Sequence, residues 1–210
     1  MMKILAISDQ ELPNIYSPIL AQRFGDVEMV IGCGDLPYYY LEYVISTLNK
    51  PLYYVNGNHA PAVEYSEAGE RTYPHGGVDL HRRVLRDAKS GLILAGIQGS
   101  LQYNQGVNQY SQADMWWLVR GLIPRLFLNR IFRGRYLDIF VTHAPPWKIN
   151  DQDDLPHQGI KAFVWFDRRF QPRYHLHGHI HLYRQDAIRV VQVGKTQVVN
   201  TCGFQLIEIG

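Results

Sequence analysis

Residues with metal-binding or proton-transfer side chains stand just after short apolar runs in this sequence. Ser8-Asp9-Gln10 follows the run at 3–7, and Gly34-Asp35 follows the one at 28–31. Gly57-Asn58-His59 follows the run at 52–55, and Thr142-His143 follows 137–141. A further segment reads His175-Leu176-His177-Gly178-His179-Ile180-His181. Carboxylate, imidazole and amide oxygen together suit divalent ions such as Mn, Fe, Zn, Co or Ni rather than a thiolate site. A bridging carboxylate can hold two such ions about 3.5–4 Å apart, where they clamp a phosphoryl group and activate water. An isolated histidine is usually structural. So many polar groups at strand ends are different, because as core residues they would leave too many buried groups unpaired.

The elements that must position these residues are legible as short buried runs. Residues 3–7, 28–31, 52–55, 92–97 and 137–141 are too apolar for a half-exposed sheet and read as buried strands. Helical patterns lie between them at 17–24, 38–48, 112–132 (broken near Gly121 and Pro124) and 159–170. Alternating strands and helices predict an α/β domain whose ligands gather beyond the carboxyl ends of the strands. Glycines beside Asp35, Asn58 and His179 allow tight turns there. Residues 187–193, 195–201 and 205–209 read as a β-meander. The irregular stretches 98–110 and 144–158 are expected to be functional loops.

The 210 residues fit one domain spanning 1–210. At 46% hydrophobic and 19% charged residues the chain can build a sizeable core, which excludes a disordered or acidic solvating protein. No apolar run is long enough for a transmembrane helix. A net charge of +2 gives no specific nucleic-acid signal. Only two cysteines, Cys33 and Cys202, point to a reducing, cytoplasmic setting.

In order and spacing these motifs resemble the calcineurin-like metallophosphoesterases, whose pattern runs D-x-H, G-D, G-N-H-D/E, a lone H, and G-H-x-H. The resemblance spans Asp9 to His181. It implies a four-layer αββα sandwich of two mixed sheets with outer helices, and a dinuclear site with manganese first and Fe, Zn, Ni or Co as alternatives. Asp9 and His181 would hold one metal, Asn58, His143 and His179 the other, and Asp35 would bridge them. His59 would be catalytic, as proton donor to the leaving group or stabiliser of the phosphoryl oxygens. The chain departs from the pattern twice, with Glu11 where the first motif has histidine and Ala60 where a carboxylate follows G-N-H. Either Glu11 or Gln10 supplies an oxygen to the first metal, or that metal has one ligand fewer.

Neither the G-D nor the G-N-H segment has an arginine nearby, and a phosphomonoester dianion benefits from such a cation. A phosphodiesterase acting on nucleotide or cyclic-nucleotide-like small molecules is therefore expected. The alternatives are a phosphomonoesterase, or a degenerate, non-catalytic scaffold that binds a protein or membrane partner. In the Tyr38-Tyr39-Tyr40 run, Tyr40 is the candidate to reach the rim and stack on a base. His157 is either a substrate contact or a surface residue. Residues 115–137 hold Arg120, Arg125, Arg130, Arg133 and Arg135, several aromatics and no acid. At 100° per residue the arginines form no single stripe, so an outer helix pair with solvated arginines is expected ahead of membrane-surface contact through 115–137.

Overall fold

A computed structural model describes residues 1–66, 69–183 and 187–210. Two mixed sheets face each other. The first runs in the spatial order Gly203–Ile209, Met2–Ser8, Met29–Gly32, Leu52–Tyr54, Gly77–Asp79. The second runs Val190–Val193, Thr196–Asn200, Tyr174–His177, Ile139–Thr142, Ile93–Ile97, Arg83–Arg86. Helices α1 (Ile19–Phe24) and α2 (Tyr38–Leu48) cover the first sheet, and α3 (Gln112–Arg133) and α4 (Lys161–Phe170) cover the second.

The period of two along each strand explains why the inner strands are apolar throughout. On Met2–Ser8, Ile4 and Ala6 face the second sheet while Leu5 and Ile7 face α1 and α2. Ile139 and Val141 likewise point into the sandwich, and Phe140 points at Phe163 and Phe166 of α4. Three apolar layers result, one between the sheets and one under each helix pair. This is the expected αββα arrangement.

Two expectations are corrected. The C-terminal strands are not a meander. Val190–Val193 and Thr196–Asn200 pair in the second sheet, but Gly203–Ile209 crosses over and pairs antiparallel with Met2–Ser8 along its full length. Ile207 and Ile209 are buried between the sheets, a gain the chain would lose as a continued meander. Residues 112–133 form one helix rather than a broken pair. Ser111 and Asp114 make a capping box, and Gly134 ends the helix in the left-handed conformation. Pro124 sits on the exposed side, where water can satisfy the carbonyl freed one turn earlier. Burial of Met115, Val119, Leu122 and Leu126 offsets the cost. Among the described residues, no helix is long and apolar enough to cross a membrane.

Candidate metal centre

Parallel strands from both sheets end at one rim, and there the backbone itself aims the side chains. Asp9, Asp35 and His179 all have positive φ, at 65°, 52° and 68°. Non-glycine residues in this region carry strain that clusters at functional sites. The neighbouring glycines serve close approach. A Cβ on Gly57 would lie 1.9 Å from Asp35 Oδ1, and one on Gly178 would lie 2.7 Å from Asp9 Oδ2.

Four donor atoms converge. Asp35 Oδ2, Asn58 Oδ1 and His179 Nδ1 lie 3.1, 3.0 and 3.1 Å from His143 Nε2. Ligands about 2.1 Å from a common ion would stand about 3.0 Å apart at right angles. Outer contacts set the tautomers. His143 Nδ1 donates to the Cys33 carbonyl at 2.9 Å and His179 Nε2 donates to the Pro156 carbonyl at 2.7 Å. The lone pairs of His179 Nδ1, Asn58 and Asp35 are therefore all directed at one point, which asks for a cation.

Protonation reflects the same demand. Burial disfavours a charged His143, but the adjoining Asp35 carboxylate and Asp9 outweigh it and raise the imidazole to about 9. Burial would raise Asp35 too, but the charge and hydrogen bond of His143, with the His59 N–H at 2.8 Å, hold it at about 2. Burial and the charge of His143 lower His179 to about 3.

Asp9 adjoins the cluster, its Oδ1 accepting from the His179 N–H at 2.9 Å. Its Oδ2 is buried without a partner among the described residues, and burial raises its pKa. An orphaned buried carboxylate oxygen fits a second ion. His181 is exposed on the wall of the adjoining cavity, outside the tight cluster.

Glu11 turns away and accepts a hydrogen bond from the Tyr39 hydroxyl, while Gln10 lies in a different depression beside Gly203. Neither joins the cluster, so neither takes the place of the absent histidine there. The Tyr40 expectation is also corrected. Its ring is fully buried and its hydroxyl accepts from Leu12 N, so it cannot meet a substrate. Tyr39, one position earlier on α2, is the tyrosine at the rim.

His59 is exposed between two cavities. One, of about 260 Å³, is lined by Asp35, His59, Tyr103, His157, His179 and His181 among others. The other, of about 430 Å³, contains Leu36, Pro37, Tyr39, Pro61 and Val63 with Glu11 and Glu64. Tyr103 was not singled out by sequence, although its loop was; its hydroxyl accepts from Asn58 Nδ2 at 3.1 Å. His157 reaches the first cavity, with Nδ1 held by Asp154 at 2.6 Å. His175, by contrast, is structural, clamped between Asp167 and Thr142 at 2.7 and 2.9 Å.

Residues 11–183 match the family described as calcineurin-like phosphoesterase. The chain belongs to that family. As a calcineurin-like phosphoesterase it falls among metal-dependent phosphoester hydrolases in general, and its Asp35, His143 and His179 cluster is suited to a divalent ion. The fold matches solved structures at low identity. One aligns over 98% of this chain and 94% of its own, at 14% identity and a TM-score of 0.65. Another, TT1561 of Thermus thermophilus, aligns over 96% and 89%, at 15% identity and a TM-score of 0.61. No curated protein matches the sequence significantly.

Proposed function

We propose that this calcineurin-like phosphoesterase is a cytoplasmic phosphodiesterase with two divalent ions, acting on nucleotide or cyclic-nucleotide-like diesters. Asp35, Asn58, His143 and His179 would hold one ion; Asp9 and His181 would hold the other, with Asp35 between them. When bound, the ions supply Lewis acidity and an activated water. The oxygen and imidazole donors suit manganese first among the alternatives.

The observation that carries the diester reading is the lining of the two cavities beside His59. Among the described residues neither contains a lysine or arginine, and the larger one is mostly apolar with three carboxylates, Glu11, Asp35 and Glu64. A monoester dianion would meet Glu11 without a compensating cation, Glu64 being answered by Arg71 at 3.8 Å, whereas a diester has one charge and two organic arms. One arm would lie against Tyr39, Leu36, Pro61 and Val63. The other would lie against Tyr103 and His157, where an aromatic ring can stack on a base. His59, at the boundary, would give a proton to the departing alkoxide.

The test is hydrolysis of bis(p-nitrophenyl) phosphate against p-nitrophenyl phosphate with added Mn²⁺. A higher kcat/KM for the diester is expected; a clear preference for the monoester overturns the reading. The turned-away Glu11 favours a second reading, a scaffold with a depleted first site that binds a partner. Absence of turnover on both esters by metal-loaded protein would support it.

A further inference from the structure

Helix α3 is apolar on two opposite sides. Met115, Val119, Leu122 and Leu126 face the second sheet. At 100° per residue the far side carries Trp117, Gly121, Pro124, Leu128 and Ile131, spaced 4, 3, 4 and 3, with Phe132 beside them. Trp117 is 71% exposed, Leu128 44%, Ile131 71% and Phe132 78%. An outer helix that needed only to be solvated would be polar there. The arginines are exposed as expected, but the outward stripe between Arg120 and Arg125 is apolar.

Arg120 and Arg125 flank the stripe on its two sides, and Arg130, Arg133 and Arg135 follow at the C-terminal end. No acid occurs from 115 to 137. The nearest acids are engaged, Asp114 in the capping box and Asp138 with Arg135. Among the described residues, Arg135 alone of these five arginines pairs with a carboxylate. The Arg120 guanidinium lies 5.4 and 5.7 Å from the rings of Trp116 and Trp117. Its stem and charge thus already lie along the apolar surface, as in a side chain with its head at a headgroup layer.

The charge pattern selects the occupant. A second copy packed stripe to stripe would set arginine against arginine with no acid to pair. A neutral surface would leave the cations unanswered. A stripe about 22 Å long, with tryptophan and phenylalanine towards its ends and cations at its margins, suits a planar anionic layer.

We propose that α3 docks the protein on an anionic lipid surface. The helix lies in the interface plane, with Trp117, Leu128, Ile131 and Phe132 among the acyl chains and the arginines at the headgroups. The helix covers the outer face of the second sheet while the cavities open at the strand ends, so docking leaves them accessible. The inference does not depend on the activity proposed above.

The test is co-sedimentation of the full chain with vesicles of phosphatidylcholine alone or mixed with phosphatidylglycerol. Binding to the mixed vesicles, weakened by salt, is expected. Trp117→Ser with Phe132→Ser should lower the partition coefficient at least about tenfold. Arg120→Gln and Arg125→Gln should each lower it about fivefold. Thermal melting of the arginine variants should match wild type, which separates lost docking from lost folding. Equal binding to neutral vesicles, no binding at all, or full binding by the double variant would overturn the proposal. So would a concentration-dependent dimer abolished by Trp117→Ser, which would assign the stripe to a second copy.

Discussion

Replacing Gly57 with alanine adds one carbon at the most crowded point of the centre. That Cβ would lie 1.9 Å from Asp35 Oδ1, 2.5 Å from its Cγ and 2.7 Å from its backbone nitrogen. Gly57 is not among the positive-φ glycines, so the backbone accepts alanine and the effect is purely steric. Restoring an ordinary contact of about 3.5 Å requires a movement of roughly 1.5 Å. Rotating the carboxylate alone does not suffice, because the backbone nitrogen is also too close. Movement of that size breaks the His59 N–H bond to Oδ1 at 2.8 Å and the 3.1 Å contact of Oδ2 with His143. A misplacement of about 1 Å can cost about 10²-fold in rate, and overpacking costs about 1–3 kcal/mol of stability. Gly57→Ala should therefore lower turnover on bis(p-nitrophenyl) phosphate at least about 10²-fold, with reduced metal content and a lower Tm. The control is Gly121→Ala, where a Cβ meets nothing within 4 Å and a helical alanine should stabilise by up to about 1 kcal/mol. Wild-type metal content by elemental analysis, together with wild-type turnover in Gly57→Ala, would refute the claim that Asp35 must hold this position.

Three further outcomes are expected. His59→Ala should cut turnover about 10²–10⁴-fold while metal content stays near wild type, because its side chain lies outside the ligand cluster; lost metal with unchanged activity per ion contradicts the role. Chelated protein should be most stable near pH 6.5. Above it, the stability from the raised His143 is lost as pH rises through about 9; below it, the buried neutral His81, His177 and His179, lowered by burial to about 4, 3 and 3, favour an unfolded chain that can take up protons. A Tm by calorimetry that climbs from pH 6.5 to 9 without metal contradicts this. Glu11→Gln should leave metal content unchanged, since the side chain is engaged by Tyr39; an ion lost from that variant would make Glu11 a ligand.

Much of the centre was legible before folding because its signals are local. Asp35, Asn58 and His143 each follow a short apolar strand, and such a strand can deliver a side chain only to the sheet's end. The strand at 174–177 passes through His175 and His177 before Gly178 releases His179 at the rim. Sequence alone could not say which of these histidines are clamped, since that depends on how Asp167 of the preceding helix is turned and on Thr142 and Asn150 arriving from other segments. The direction of Glu11 was likewise hidden, being decided by the Tyr39 hydroxyl of α2. The choice between Tyr39 and Tyr40 turns on a 100° step and on how α2 is seated against the first sheet.

Residue type and period are properties of short segments, so the donor set, the family pattern and the apolar strands that carry them could be read from the chain alone. Three features came only with packing: the convergence of lone pairs on His143 Nε2, the return of Gly203–Ile209 to the first sheet, and the outward apolar side of α3. Each of those depends on which surfaces remain uncovered once distant segments have packed, and no local pattern encodes that.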